Sequence, residues 1–263
     1  MREYTEQELV RREKVEEIRK VCNPYPEKYE VNHSLKDACN LEDGTTNVRV
    51  AGRIVFMRKM GKLSFLKIRD IEGELQVSIK IDCVGEENYS FFKDNFDVGD
   101  FIGACGEIFT THTGEKTLRA DSFEFLGKAL RPLPEKFHGL SDIELKYRQR
   151  YVDLITNEES RKVFLGRSKY NLFLRNYLAQ NGFLEVETPI IQTSVSGASA
   201  KPFFTHYNAL DLDCNLRIAP ECYLKKCIVA GYDKVFEVAK CFRNEGMDPQ
   251  QRNSGMARRP EYG

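Results

Sequence analysis

The stretch that most limits the fold covers residues 47–126, where apolar side chains recur at every second position. Side chains alternate across a strand, so this spacing predicts strands with one buried face. Val48, Val50, Ile54 and Phe56 mark the inner side of a first strand, and Leu66 and Ile68 that of a second. Leu75, Val77, Ile79 and Ile81 mark a third, after a turn at Glu72-Gly73. A helical stretch with Tyr89, Phe92 and Phe96 precedes Gly99, and two more strands, 101–110 and 117–126, meet at Thr113-Gly114. Five strands with a helix after the third is the order of an OB-fold barrel. A small barrel with no ligand fits the same pattern.

The alternation also names the outer face. With Leu66 and Ile68 inside, Phe65, Lys67 and Arg69 point outward, as do Gln76, Ser78 and Lys80 of the third strand. On an OB barrel this surface binds oligonucleotides, and an aromatic ring there can stack an unpaired base. Every charged residue between Asp43 and Asp70 is basic: Arg49, Arg53, Arg58, Lys59, Lys62, Lys67 and Arg69. Over the whole chain 40 basic and 40 acidic residues cancel, so net charge gives no reason to expect a nucleic acid. Phosphates respond to the patch that faces them, however, and not to the sum. Gln76 can donate to and accept from a base edge, and Glu115 in the hairpin can accept from a base amino group. The bland alternative packs Phe65 under a loop and leaves the cations solvated.

The 263 residues leave room for about two domains. Eight scattered cysteines without a C-x-x-C spacing favour free thiols in a reducing cytosol over a zinc site or disulfides. No signal-peptide pattern and no apolar run near the ~18 residues of a membrane span is present, which predicts a soluble cytoplasmic protein with no membrane partner. Residues 5–20 are dense in Glu, Arg and Lys with a thin stripe of Leu9, Val10, Val15 and Ile18. They predict a solvated helix, stopped at Asn23-Pro24-Tyr25-Pro26.

Beyond a proline-stiffened connector at Arg131-Pro132-Leu133-Pro134, a long amphipathic helix is predicted over 158–180. Val163, Phe164, Arg167, Tyr170, Phe173, Leu174 and Tyr177 recur at helical steps, and Gly182 stands where a cap belongs. Short strands are predicted over 216–221 and 235–245, separated by a helix carrying Tyr223, Leu224 and Cys227. Alternation in the second puts Glu237, Ala239, Cys241, Arg243 and Glu245 on one face and Phe236, Val238 and Phe242 on the other.

Several segments of this second half carry a family resemblance. The run from Gly182 through Phe183, Glu187, Thr188 and Pro189 to Ile191 resembles class II synthetase motif 1, and Phe242-Arg243-Asn244-Glu245 resembles the opening of motif 2. Gly197-Ala198-Ser199-Ala200-Lys201-Pro202-Phe203 and Leu216-Arg217-Ile218-Ala219-Pro220-Glu221 resemble the lysine-specific members. The connector, from Lys128 to Leu140 and again from Tyr147 to Ile155, is similar to the barrel-to-catalytic linker of lysyl-tRNA synthetases.

The resemblance, to class II lysyl-tRNA synthetases, implies an α+β fold. A charged helix and lead-in (1–46) and a five-stranded OB-fold anticodon-binding domain (47–128) come first. A connector (129–156) and part of an antiparallel-sheet catalytic domain (157–263) follow. It further implies activation of lysine with ATP, transfer to tRNA(Lys), and a homodimer built through motif 1. In this family Arg243 would be the catalytic residue on the α-phosphate and substrate carboxylate, with Glu245 on the adenine side of ATP. A bidentate, always-charged guanidinium suits negative charge that grows on phosphate oxygens. Gly197 and Ala198 would approach the bound lysine, and a buried Glu221 would pair with its ammonium, leaving a desolvated carboxylate against neutral competitors. Phe65, Gln76 and Glu115 fall on the anticodon-reading positions, flanked by Lys67 and Arg69.

After Asp248 the resemblance is expected to break, with Arg259-Pro260-Glu261-Tyr262 only faintly echoing the motif 2 loop. The family's motif 3 and its carboxylate ligands for magnesium are expected beyond the end of the chain, so the chain alone is expected to be inactive. The lysine-type segments disfavour an aspartyl or asparaginyl relative. A non-catalytic OB-fold RNA-binding module remains the competing reading.

Overall fold

The computed structural model describes residues 3–134, 142–195 and 197–244. Two compact units, Met1–Asn157 and Glu158–Gly263, divide the chain.

The first unit opens with helix α1 (Glu6–Val21). Thr5 caps it through a capping box with Glu8, so two otherwise unpaired amides are satisfied reciprocally. The helix is less solvated than its sequence predicts. Val15, Ile18 and Glu8 are buried, while Leu9 and Val10 stay exposed. Polar contacts fasten it down: the Arg11 guanidinium donates to the carbonyls of Ala129 (2.6 Å) and Val98 (3.1 Å), and Lys14 pairs with Asp97 at 2.8 Å. A short helix α2 (Leu35–Cys39) then buries Leu35 and Ala38.

Strands β1 (Val48–Lys59), β2 (Leu63–Arg69), β3 (Glu74–Lys80), β4 (Phe101–Thr110) and β5 (Lys116–Gly127) close a barrel in the order β1-β2-β3-β5-β4. The β3–β5 pair is parallel and the others antiparallel. Leu66, Ile68, Val77, Ile79, Ile108 and Leu118 form a fully buried interior. Ile81, predicted as the last inward residue of the third strand, instead opens helix α3 (Ile81–Val84). Helix α4 (Glu86–Asn95) follows, and its Phe92, with Phe96 at its end, joins Phe123 and Phe125 in ring contacts 4.9–5.8 Å apart.

Two irregularities bend the barrel. In β1, Ile54 faces Ile68 but Phe56 faces Lys67, so Val55 is an extra residue. The bulge reverses the inside–outside phase of the rest of the strand: Met57 packs on the core, and Phe56, predicted inside, lies outside and is 43% exposed. In β4 the register shifts between Cys105 and Gly106, and a Cβ on Gly106 would overlap the Arg119 carbonyl oxygen. Helices α5 (Ile143–Arg148) and α6 (Arg150–Thr156) complete the unit, with Asp153 buried against Arg150 at 2.7 Å.

The second unit begins with helix α7 (Glu158–Gln180). It ends as predicted: Gly182 has φ +78°, and the Phe183 amide donates back to the Leu178 carbonyl at 3.0 Å in a Schellman cap. The predicted amphipathic burial is absent, since no described side chain of this 23-residue helix is buried. Strands β6 (Leu184–Glu185), β7 (Ile191–Gln192), β8 (Phe204–Tyr207) and β9 (Leu212–Leu216) come next, then helix α8 (Glu221–Val229) and strand β10 (Val235–Phe236). An antiparallel sheet runs β7-β9-β8, and β6 pairs in parallel with β10.

The strand predicted over 216–221 thus ends at Leu216. Pro220 has no amide for a ladder, and its carbonyl accepts from Tyr223 and Leu224, both at 3.1 Å, so Glu221 begins a helix. The strand predicted over 235–245 is assigned only at Val235–Phe236. Farther on, the amides of Phe242 and Asn244 donate to the carbonyls of Arg217 (3.0 Å) and Lys201 (2.8 Å), which ties this segment to the rest of the unit without a regular ladder. All eight cysteines are free thiols, and no helix among the described residues is long and apolar enough to cross a membrane.

Candidate functional site

Strand register lays the outer barrel face out in rows. One runs Phe56, Lys67, Gln76, Thr117, Phe109, and the next runs Arg58, Phe65, Ser78, Arg119, Glu107. Phe65 is half-buried on this face, and the core-facing Leu66 behind it is fully buried. Lys67 pairs with Glu115 at 2.7 Å, bringing the expected hairpin carboxylate onto the face. That hydrogen bond holds the Lys67 ammonium above its ordinary pKa. The Gln76 amide donates to the Thr117 hydroxyl at 2.9 Å, which leaves its carbonyl oxygen and a second N–H for a ligand. Ser78, predicted to project outward, is on this face yet buried, because Phe65 and Arg119 flank it and its hydroxyl donates to the Leu118 carbonyl.

The basic run is less of a single footprint than its sequence suggests. Arg49 and Arg53 lie before the bulge, where β1 pairs with β4. Arg49 sits over the Tyr29 ring and near Glu124 (3.8 Å). Arg53 donates to the Gly99 carbonyl at 2.7 Å, and Lys59 to the Phe96 carbonyl at 2.9 Å. Burial lowers the pKa of both groups, as expected of cations that cap backbone carbonyls. Arg69 pairs with Glu74 and donates to the Ile155 carbonyl at 3.1 Å, so it ties the barrel to α6 and does not stand ready for a phosphate. Arg58 and Lys67 are the cations that remain beside Phe65 on the face.

In the second unit, Gly197 and Glu221 come together. Gly197 has φ +88°, and a Cβ there would lie 3.2 Å from the Ala219 Cβ and 3.4 Å from the Glu221 Cβ. The loop backbone therefore lies directly against the start of α8, an approach that a larger residue would crowd. Ala198 beside it is exposed. Glu221 is not the buried carboxylate expected: its side chain is half exposed and pairs with Lys225 at 2.5 Å, one turn along α8. That hydrogen bond raises the Lys225 pKa. The carboxylate thus already binds an alkylammonium, the chemical group that a lysine ligand carries. Arg243 is exposed, and its expected carboxylate neighbour, Glu245, lies outside the described residues, as does the tail after Asp248.

Arg217, in the sequence only one member of the Leu216–Glu221 segment, is the centre of a polar core. Its guanidinium, 4% exposed, pairs with Glu237, 6% exposed, at 2.6 Å. It also donates to the Thr188 carbonyl (2.9 Å), the Thr188 hydroxyl (2.8 Å) and the Lys240 carbonyl (3.0 Å). The Thr188 hydroxyl in turn donates to the other Glu237 oxygen at 2.6 Å. Glu237 therefore points inward and does not share the polar face expected for Arg243. Because the Arg217 carbonyl accepts from Phe242, this network sets the path of the backbone that carries Arg243.

Stretches of both units match known protein families. The chain belongs to the class II tRNA synthetases: the family described as tRNA synthetases class II (D, K and N) matches residues 142–261, past Asp248, where the resemblance was expected to break. The family described as OB-fold nucleic acid binding domain matches residues 48–126. Within the class, the chain is similar to the lysine-tRNA ligase of Bacillus cytotoxicus, 47% identical over 255 residues that make up 93% of this chain and 51% of the relative. The lysine-tRNA ligase of Listeria monocytogenes is 48% identical over 254 residues, 93% of this chain and 51% of the relative. That of Aromatoleum aromaticum is 51% identical over 215 residues, 82% and 43% respectively. The chain thus spans about half the length of the relatives it matches.

Proposed function

We propose that this chain carries the anticodon-binding barrel and part of the catalytic domain of a lysine-tRNA ligase, which activates lysine with ATP and transfers it to tRNA(Lys). The observation that carries the reading is the outer barrel face, where Phe65, Lys67, Gln76 and Glu115 share one surface. Phe65 stacks an unpaired anticodon base, Gln76 and Glu115 meet base edges, and Lys67 and Arg58 face phosphates. Arg69 supports the barrel from beside the site. In the second unit Gly197, Ala198 and Glu221 hold the substrate lysine, whose ammonium displaces Lys225 from Glu221. Arg243 meets the α-phosphate and the substrate carboxylate, and Glu245 the adenine side of ATP. Among the described residues no group of three His, Cys, Asp or Glu side chains is placed to hold a metal ion.

The exposed apolar side chains of α7 support a homodimer through the motif 1 region, which would cover them. They also support the expectation that the chain alone is not catalytically competent. The deciding experiment compares binding of tRNA(Lys) with binding of an anticodon-altered version. Phe65→Ala should weaken the first by ~1–3 kcal/mol, the worth of one lost stack, and unchanged affinity removes Phe65 from the site. Lysine-dependent pyrophosphate exchange by the purified chain should be undetectable. Exchange at a measurable rate would refute the inactivity and rule out the second reading, a non-catalytic RNA-binding module. That second reading is favoured by the contrast between a well-buried barrel and a second unit whose described residues bury few apolar side chains.

A further inference from the structure

The bulge at Val55 puts an unexpected side chain on the recognition surface. Because Val55 is extra, Phe56 lies opposite Lys67 and Arg58 opposite Phe65. Directly opposed residues share a face, and Phe65 and Lys67 are outward, so all four project to the same side. They form a two-by-two patch with rings on one diagonal, Phe56 and Phe65, and cations on the other, Arg58 and Lys67. Diagonal neighbours of an antiparallel pair are about 7–8 Å apart, within reach of large side chains. Phe56 is 43% exposed, so part of its surface stays in contact with solvent while the core-facing Met57 takes its place inside.

A single strand of nucleic acid offers bases and phosphates in alternation. Rings that stack bases, set among cations that meet the backbone, are the combination that such a strand requires. We infer that Phe56 is a second stacking platform, so that the barrel face holds two successive unpaired bases, one on Phe65 and its neighbour on Phe56. The inference rests on the anticodon reading above and extends it to a specific residue. It gives Phe56 a role in binding and none in the core.

The test uses the whole chain and a lysine-tRNA anticodon stem–loop carrying 2-aminopurine at each loop position in turn. Stacking on a ring quenches this base. In the unmodified protein, two adjacent loop positions should be quenched. Phe65→Ala should restore the emission of one, and Phe56→Leu, which keeps apolar bulk but removes the ring, that of the other. Phe56→Leu should also weaken stem–loop binding by roughly 5- to 100-fold with an unchanged melting curve, and Phe56→Trp should retain binding. If Phe65→Ala releases a base and Phe56→Leu releases none, the second platform is refuted while the anticodon reading stands. If both variants release the same single base, two-base binding is likewise refuted. If the stem–loop does not bind, or neither substitution alters affinity or emission, both readings fall together.

Discussion

Ile18 of α1 and Phe164 of α7 are both apolar residues on long helices rich in charge, but folding treats them oppositely. Ile18 is fully buried, together with Val15, and polar contacts to the barrel hold its helix in place. On α7, Val163, Phe164, Tyr170, Leu172, Phe173 and Tyr177 all remain exposed, Phe173 by 64%. The contrast extends to the units. The barrel is built on a continuous apolar interior, whereas the buried apolar residues described in the second unit are few: Cys214, Ile218 and Pro202. What the second unit buries instead is the Arg217–Glu237–Thr188 network. Helix propensity alone gives little stability in water. A large exposed apolar surface marks a surface that binds something. The first unit thus rests on a continuous apolar core, whereas the described part of the second is organised by polar bonds and leaves the apolar side chains of α7 exposed.

The contrast can be tested from its strongest element downward. Arg217→Ala leaves the buried Glu237 carboxylate without its cation, with only the Thr188 hydroxyl on it, so it should cost ~3–5 kcal/mol in the second unit, read as lost hydrogen-exchange protection at the Phe242 and Asn244 amides. A loss below ~1 kcal/mol would show that the polar network is not what holds this unit together. Leu66→Ala empties a fully buried site in the barrel and should cost ~2–5 kcal/mol in urea unfolding followed by barrel signals, without changing exchange in α7.

Acid should act on the first unit through Asp97. Burial opposes its ionisation, but hydrogen bonds from Lys128 and Lys14 outweigh burial and leave its pKa below the ordinary 3.8. A lowered carboxylate stabilises fully above its unfolded pKa and less as pH falls through the folded value. Asp97→Asn should therefore flatten the loss of barrel stability below pH 3.8. An identical acid limb in the variant would show that Asp97 contributes nothing. Asp100, raised by burial, has the opposite sign above 3.8, and the variant leaves it in place. The smallest effect belongs to α7: Phe173→Ala should change stability of the chain by no more than ~0.5 kcal/mol, the range of surface substitutions. A larger cost would mean that this ring is covered in solution.

Much of the barrel was legible because each of its strands repeats one short rule. Leu66, Ile68, Val77 and Ile79 are inside where alternation puts them, Phe65 is on the outer face, and Gly182 caps its helix. Phe56 was misplaced because the rule carries no mark of an inserted residue: Val55 shifts the parity of everything after it in β1, and no local residue type announces it. The cations were over-read for a related reason. Alternation says which face a side chain leaves from, but not which carbonyl it reaches, so Arg53, Lys59 and Arg69 were counted with the surface although they bind backbone. The Arg217–Glu237 pair was missed because its members are far apart in sequence and meet only through the chain path. Glu221 was expected to be buried, and no pattern in the sequence shows that Lys225, one turn away, reaches it first.

Gly106 offers an adjustment from the hidden side of the barrel. Its missing side chain lets β4 close against the Arg119 backbone, and Arg119 neighbours Ser78, which faces Phe65. A single methyl group at Gly106 would act as a wedge driven into that seam, tilting Arg119 and, two strands across, the Phe65 ring. Scanning the outer residues one at a time would never find this position, although it sets the curvature on which they all stand.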